Sequence, residues 1–528
     1  MQPTAVNESA GASPSQSLSA GWPHWLTLSV VLGTAILVRF RCLSCKPFWF
    51  DESFSVEVAR IDWRNFLHLM WWREANMSLY YMLLRVWLHF GQSPFFIRSL
   101  SVVISAATLP AIYWVAKQLY DRRVALIAAA LLAVNAYSIR YAQEARSYAL
   151  FMLLATLSSG FLIAWFREMS LDLRSQSATS NSQTLLLRGY ILTSVLAVYA
   201  HLYAILLLVG HWIVVSRILR CENNQARPGN LRRAWKIIAL AVLPLLIFVA
   251  KTGAGPIRWI QRPGIRDLFE FFEHLAGGNW ALALIYALAL LAALIPTGKS
   301  LWSPDTARQA WRCQLLLVWL LFPIVLTVLL SFARPVFLAR YMIFCLPALL
   351  VLVAAGLARL NRWLLPLALV VVLLLGLQGT AFIYGHDFDN ERDASGAASN
   401  FILDHTQPGD AIIFHIAETR VPYEFVRSLR AGTNTASPEF IGPLGPEILF
   451  PHHGAGLDYR DFTGKPIPEF VRSAVQGHPR VWLMLMNNGP AGKPDLTTVM
   501  LTQVLPEYFP KVERWQFPKV EIRLYSRP

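Results

Sequence analysis

The sequence predicts a polytopic α-helical membrane protein that ends in a separate soluble domain. Three observations carry that reading. The 528 residues are 55% hydrophobic, with a mean hydropathy of +0.43. Apolar runs recur from residue 22 to residue 384, most of them near the roughly 20 residues that a span requires. Beyond residue 384 the composition changes and Asp and Glu become frequent.

Residues 1–21 are rich in Ser, Ala, Gly and Pro and lack the basic stretch of a secretory signal, so they read as a disordered cytoplasmic N-terminus. The run 22–40 has no small-residue cleavage site after it and reads as a retained span. Setting apolar runs against basic loops gives about eleven spans. They lie near 22–40, 97–117, 123–140, 147–166, 187–200, 202–219, 235–252, 279–296, 312–332, 341–358 and 363–384.

The net charge of +15 is not distributed as a nucleic-acid footprint. Arg122, Arg123, Arg167, Arg174, Arg217, Arg220, Arg232, Arg233, Arg359 and Arg362 sit in alternate short connections, which is the positive-inside pattern. A second set comprises Arg60, Arg64, Arg73, Lys251, Arg258, Arg262, Arg266, Arg334 and Arg340. It falls in the opposite loops, where topology does not require it and an anionic ligand would suit it. With the N-terminus inside and an odd number of spans, the outer loop 41–96 and the tail 385–528 share the extracytoplasmic side.

Within the outer loop, segments 61–74 and 78–90 read as helices lying in the membrane interface. Their aromatics Trp63, Trp71, Trp72, Tyr80, Tyr81 and Trp87 fit the headgroup level, with simple anchoring as the plainer alternative. In the tail, the apolar runs 411–414 and 481–486 read as strands of an α/β or α+β domain.

The polar residues that stand out lie on the outer face. Phe48-Trp49-Phe50-Asp51-Glu52-Ser53 places two adjacent carboxylates where lipid gives way to water, and ionisable groups at a membrane edge point to function. The alternative is an ordinary helix start, since Asp caps and Glu suits a first turn. Arg146 and Glu144 lie in 140–148, His201 sits between Tyr199 and Tyr203, and Arg340-Tyr341 opens the tenth span. Each has a structural reading: a snorkelling Arg146, a satisfied interhelical His201, a flanking Arg340. Cys42 and Cys45 read as two unrelated thiols; a disulfide or half a metal site are the alternatives, and no second Cys pair completes a zinc cluster.

No Walker or dinucleotide glycine loop and no serine elbow is present. An enzyme facing outward has no nucleotide supply, so an activated substrate would arrive attached to lipid.

The run of motifs FWFDESFS, LYYMLLRVWLHFGQSPFFIRSLSVV, YAQEARSYAL, YAHLYAILLL, WIQRPGIRDLFEFFEHLAGG and RPVFLARYMIFCLPAL resembles bacterial members of glycosyltransferase family 39. These are relatives of the protein O-mannosyltransferases and the lipid A aminoarabinose transferase. The resemblance covers about 22–384, implying a GT-C transmembrane glycosyltransferase domain in a bacterial plasma (inner) membrane. The tail segment ERDASGAASNFILDHTQPGDAIIFH resembles the outer domain of many such proteins.

The resemblance implies transfer of one sugar from a polyprenyl-phosphate donor, with inversion, to a glycan, glycolipid or protein hydroxyl. Asp51 would then be the general base, with Glu52 orienting the acceptor or tuning Asp51. Arg146 and Arg340 would stabilise the leaving phosphate, and His201 and Tyr341 would donate hydrogen bonds. Glu144 would hold Arg146 or bind a sugar hydroxyl, and Tyr80 and Tyr81 would belong to the acceptor or interfacial loop. The tail's sidedness and size fit a role in selecting the acceptor. No cofactor and no metal ligand is expected, and no nucleic acid.

One departure stands at Asn76-Met77-Ser78-Leu79-Tyr80-Tyr81, where relatives carry a His-Pro or Lys-Pro-Pro element. It puts in doubt a metal or phosphate contact made there. More distant GT-C enzymes use a divalent ion, so that question stays open. The competing class is a transporter or lipid-linked sugar flippase, against which stands the lack of an internal repeat.

Overall fold

The computed structural model describes residues 24–72, 74–175, 180–221, 229–253, 260–295, 307–386, 392–416, 419–431, 445–450, 467–486 and 494–528. The expected disordered segment 1–21 and the outer cations Arg73 and Arg258 lie outside them.

Helix α1 (His24–Phe40) leads into a short loop and then three helices, α2 (Phe50–Arg60), α3 (Trp63–Trp72) and α4 (Ser78–Trp87). The bundle continues with α5 (Pro94–Leu119), α6 (Arg122–Val134), α7 (Ala136–Ala142), α8 (Tyr148–Ser175), α9 (Ser180–Ala200) and α10 (Ala204–Cys221). Then come α11 (Gly229–Thr252), α12 (Ile265–Ala276), α13 (Trp280–Leu294) and α14 (Ala307–Ala333). A 3-10 segment, Ala339–Cys345, runs into α15 (Leu346–Leu357), and α16 (Leu364–Gly385) closes the bundle.

Among the described residues seven helices are long and apolar enough to cross a bilayer, or nine if each of two bent pairs counts as one span. The expected eleven is thereby reduced. The segments at 22–40 and 202–219 fold as α1 and α10, which are not among the nine. The apolar part of α1, Trp25–Phe40, falls short of the roughly 20 residues a span needs. Helix α15 is buried along its whole length; it is apolar all round because protein surrounds it. By contrast α11 and α16 expose Leu240, Leu243, Leu246, Leu367, Val370 and Leu374, faces suited to lipid.

The bent pairs show how a span can break inside an apolar bundle. Between α6 and α7 the axis turns by 60°, which strips carbonyls of their helical partners. Arg39, fully buried, takes up Leu132 O and Ala133 O at 3.0 Å each. Thr380 donates to Val134 O at 3.1 Å, and the Asn135 side chain caps α7 through the Ser138 N–H at 2.8 Å. The 83° turn between α12 and α13 passes through Gly277 at φ 121° and Gly278 at φ 75°, a region that L side chains avoid. Asn279 then caps α13.

In the loop 41–96, α3 exposes Trp63, Leu67, Trp71 and Trp72, a face of the kind that suits a membrane interface. The interfacial expectation fails in α4 at Tyr80 and Tyr81, which are fully buried because α4 packs among α2, α5 and α9. They bond to Ser101 Oγ at 2.9 Å and to Glu74 Oε1 at 3.4 Å. The reading of Cys42 and Cys45 as unrelated thiols is also corrected, since the two form a disulfide.

After α16 the tail forms α17 (Ser395–His405), β1 (Ala411–Phe414), α18 (Arg420–Arg430), β2 (Glu447–Phe450) and α19 (Pro468–Ala474). It ends with β3 (Arg480–Met486), α20 (Leu496–Val504), β4 (Lys511–Phe517) and β5 (Val520–Ser526). The sheet order is β2-β1-β3-β5-β4. The first three strands are parallel, and the β4–β5 hairpin adds antiparallel to β3. Both expected strands are present, buried on both faces, as helix-covered parallel strands are.

Candidate active site

Helix α2 starts at Phe50, so Asp51 and Glu52 occupy its first turn, as the capping alternative anticipates. Successive helical positions point about 100° apart, and the two carboxylates therefore meet different surroundings.

Glu52 is fully buried and faces α5. It forms a two-pronged pair with Arg98, Oε1 to Nε at 2.7 Å and Oε2 to Nη2 at 2.6 Å, and Oε1 also accepts the Ala145 N–H at 2.9 Å. Arg98 in turn donates to Leu43 O and Lys46 O at 2.8 Å each and lies over the Phe48 ring. The expected role of Glu52 in orienting an acceptor is thus replaced by a structural one. Both its oxygens are spent on fixing α2, α5 and the loop after α1.

Asp51 faces two cations. Its Oδ2 lies 3.5 Å from Arg146 Nη2 and 3.8 Å from Arg340 Nη2. Arg146 also donates to Asp51 O at 3.4 Å and to Ser55 Oγ at 3.3 Å. Arg340 belongs to the 3-10 segment before α15, which Tyr137 holds by donating to Ala339 O at 2.7 Å. The structure therefore brings together residues from sequence positions 51, 146 and 340.

An aromatic wall adjoins them. His201, in the turn between α9 and α10, stacks on Phe151 with ring centres 4.9 Å apart and meets Tyr341 edge-on at 4.6 Å. Tyr203 and Tyr148 complete the wall around Tyr341. His201 Nδ1 accepts the Tyr203 N–H at 3.2 Å. Burial, then Arg146 and Arg340, push its pKa down to about 3. The neutral ring then carries its proton on Nε2 as a donor.

Glu144 does not hold Arg146 through its side chain. Its Oε1 lies 2.9 Å from Arg392 Nη2 and 3.7 Å from Arg140 Nε, because the turn after α7 directs it toward the start of the tail. Close by, Lys46, Arg98, Arg140, Gln143, Tyr384 and Arg392 line a basic cleft that does not include Asp51.

Glu74, between α3 and α4, is an acid that the reading of 61–74 as an interfacial helix passed over. Burial first, offset by Arg146 and reinforced by Asp51, pushes its pKa up to about 7. Arg98 was a findable omission: an arginine inside an expected span signals a buried partner. Arg392 gave no such signal, since only the fold brings it to Glu144.

Among the described residues, the buried polar atoms of this region that make no hydrogen bond include Asp51 Oδ2, Arg146 Nε, Ser147 Oγ, Tyr148 Oη, His201 Nε2, Trp49 Nε1 and Glu144 Oε2. Among the described residues no group of three or more His, Cys, Asp or Glu gathers that could hold a metal ion.

No family model and no curated protein matches the sequence. Solved structures do match the fold. ArnT from Cupriavidus metallidurans in the apo state superposes with a TM-score of 0.59 at 13% identity, over 95% of this chain and 97% of that one. The fold is the GT-C fold. The same ArnT bound to undecaprenyl phosphate gives a TM-score of 0.58 at 13% identity, over 95% and 98% of the two chains. The archaeal oligosaccharyltransferase AglB from Archaeoglobus fulgidus, in complex with an inhibitory peptide and a dolichol-phosphate, gives 0.53 at 10% identity, over 87% and 69%. At such identities the likeness speaks for the GT-C architecture, with its polytopic bundle and C-terminal mixed α/β domain, and not for any residue's role.

Proposed function

We propose that this GT-C protein transfers a single sugar from a polyprenyl-phosphate donor to a hydroxyl of an extracytoplasmic glycan, glycolipid or protein. The reading follows the family 39 resemblance of its motifs. The observation that carries it is the pairing of Asp51 with both Arg146 and Arg340. Two fold neighbours are solved with lipid phosphates, undecaprenyl phosphate on ArnT and a dolichol-phosphate on AglB.

In the proposed step the acceptor oxygen attacks C1 of the sugar from the face opposite the phosphate. The C1–O bond to the phosphate breaks, and its electron pair leaves with polyprenyl phosphate. The acceptor proton passes to Asp51, and the product glycoside is inverted. Arginine suits the leaving group, since its planar fork binds two phosphate oxygens. Charge grows on that phosphate as the bond breaks, so guanidinium groups fixed beforehand favour the transition state over the ground state. A donor phosphate drawing Arg146 and Arg340 away from Asp51 would also leave that carboxylate free to accept a proton. The unsatisfied polar atoms of Tyr148, His201 and Trp49 suit a polyhydroxylated ligand, because buried polar groups otherwise stay paired.

Purified protein incubated with a panel of polyprenyl-phosphate sugars and a membrane-glycan extract tests the reading. Release of polyprenyl phosphate together with labelled glycan supports it. Movement of donor across vesicles without cleavage would favour the flippase.

A further inference from the structure

The segment that enters the C-terminal domain reaches a residue beside each partner of the Asp51–Arg146 ion pair, Phe50 on one side and Glu144 on the other. Helix α2 begins at Phe50, and its N-cap residue, Trp49, supplies no side-chain cap. The first N–H groups of a helix need an acceptor, and here it comes from a residue 343 positions away. The Phe50 N–H donates to Asp393, at 3.4 Å from Oδ1 and 3.3 Å from Oδ2. Asp51 is the next residue along. The neighbouring Arg392 reaches the other side, pairing with Glu144 at 2.9 Å, whose O accepts the Arg146 N–H at 2.8 Å.

The surrounding packing is close. A Cβ at Gly396 would sit 2.2 Å from Phe48 O, so the backbones of tail and bundle meet where only glycine fits. Phe425 of α18 stacks on Phe48 with centroids 4.7 Å apart, and Val421 packs against Phe50 and Phe54 of α2. The Ala394 N–H donates to Pro518 O in the β4–β5 turn at 3.0 Å, tying the same segment to the sheet.

We propose that Arg392 and Asp393 are positioning residues that hold Asp51 and Arg146 in register, which makes the C-terminal domain a working part of the active site. This rests on the glycosyl-transfer reading, with Asp51 as base. It changes the expectation for the tail, whose role is not confined to choosing an acceptor.

The test compares full-length wild type with Asp393→Ala, Asp393→Asn and Arg392→Gln, using a donor and acceptor on which wild type is active. Asp393→Ala should lower kcat about fivefold, the rate equivalent of one lost helix cap, with donor KM and melting temperature close to wild type. Asp393→Asn keeps an acceptor oxygen and should restore most of the rate. Arg392→Gln should lower kcat in the same way. Hydrogen exchange supplies a readout independent of turnover: amides at the start of α2 should exchange faster in Asp393→Ala and not in Asp393→Asn.

Wild-type kcat and exchange in Asp393→Ala would overturn the proposal. So would a matched loss of rate, KM and melting temperature, which marks a merely structural contact. Asp51→Asn runs alongside. Its inactivity beside a fully active Asp393→Ala fails the positioning alone, while an active Asp51→Asn removes the base and the positioning with it.

Discussion

Asp51 Oδ2 lies 3.5 Å from Arg146 Nη2, and this pair joins α2 to the turn before α8. Arg340 approaches the same oxygen at 3.8 Å. If both guanidiniums serve the leaving phosphate, Arg146→Lys and Arg340→Lys keep the charge but lose the fork. Steady-state transfer assays should then show kcat falling by up to about 10²–10³-fold, the scale for losing one oriented donor. Unchanged kcat in both would place the phosphate elsewhere.

Glu52 and Arg98 should behave as structure. Removing one partner of a buried pair strands the other charge, at a cost of roughly 3–5 kcal/mol. Glu52→Gln and Arg98→Leu are expected to lower the melting temperature of the detergent-purified protein sharply. Asp51→Asn, which loses only the longer contacts of 3.5 and 3.8 Å to Arg146 and Arg340, should lower it less than either. Thermal unfolding of the three variants side by side checks the distinction.

The pH dependence of stability separates Glu74 from His201. Glu74 is raised from 4.5 to about 7 in the folded protein. Between these values the unfolded chain binds fewer protons, so stability falls as pH rises through that window. His201 is lowered from 6.5 to about 3. There the unfolded chain binds more protons, and stability falls as pH drops through its window. Glu74→Gln should flatten the melting-temperature profile toward pH 7, and His201→Asn should flatten it below pH 6.5. A wild-type profile in both variants would contradict these environments.

The Cys42–Cys45 disulfide bears on sidedness, since disulfides persist in oxidising compartments. In intact cells, a membrane-impermeant maleimide should label these two cysteines after treatment with an impermeant reductant, and not before. Labelling only after permeabilisation would reverse the assigned topology. Cys313 and Cys345 are free and buried and should stay unlabelled.

Much of the bundle was legible because lipid-length apolar runs and basic connections are local signals. Asp51 was legible for a similar reason, as a carboxylate at the end of such a run. What escaped the sequence depends on distant partners. Nothing near Glu52 announces Arg98, 46 positions away, and nothing near Asn135 announces that Arg39 and Thr380 will bond the carbonyls of a broken helix. Tyr80 and Tyr81 read as interfacial because aromatic residues suit headgroups, yet they lie on the face of α4 that packs against α2, α5 and α9. Glu74 looked like the end of a surface helix, and only the fold places it in the field of Arg146 and Asp51.

The central claim is that Asp51 takes the acceptor proton. The most direct measurement is single-turnover transfer by wild type and Asp51→Asn with a saturating polyprenyl-phosphate sugar donor. The account predicts that the variant folds and binds donor normally while transfer falls by about 10²–10⁴-fold, the range for a positioned base. Transfer at the wild-type rate in the variant would contradict it.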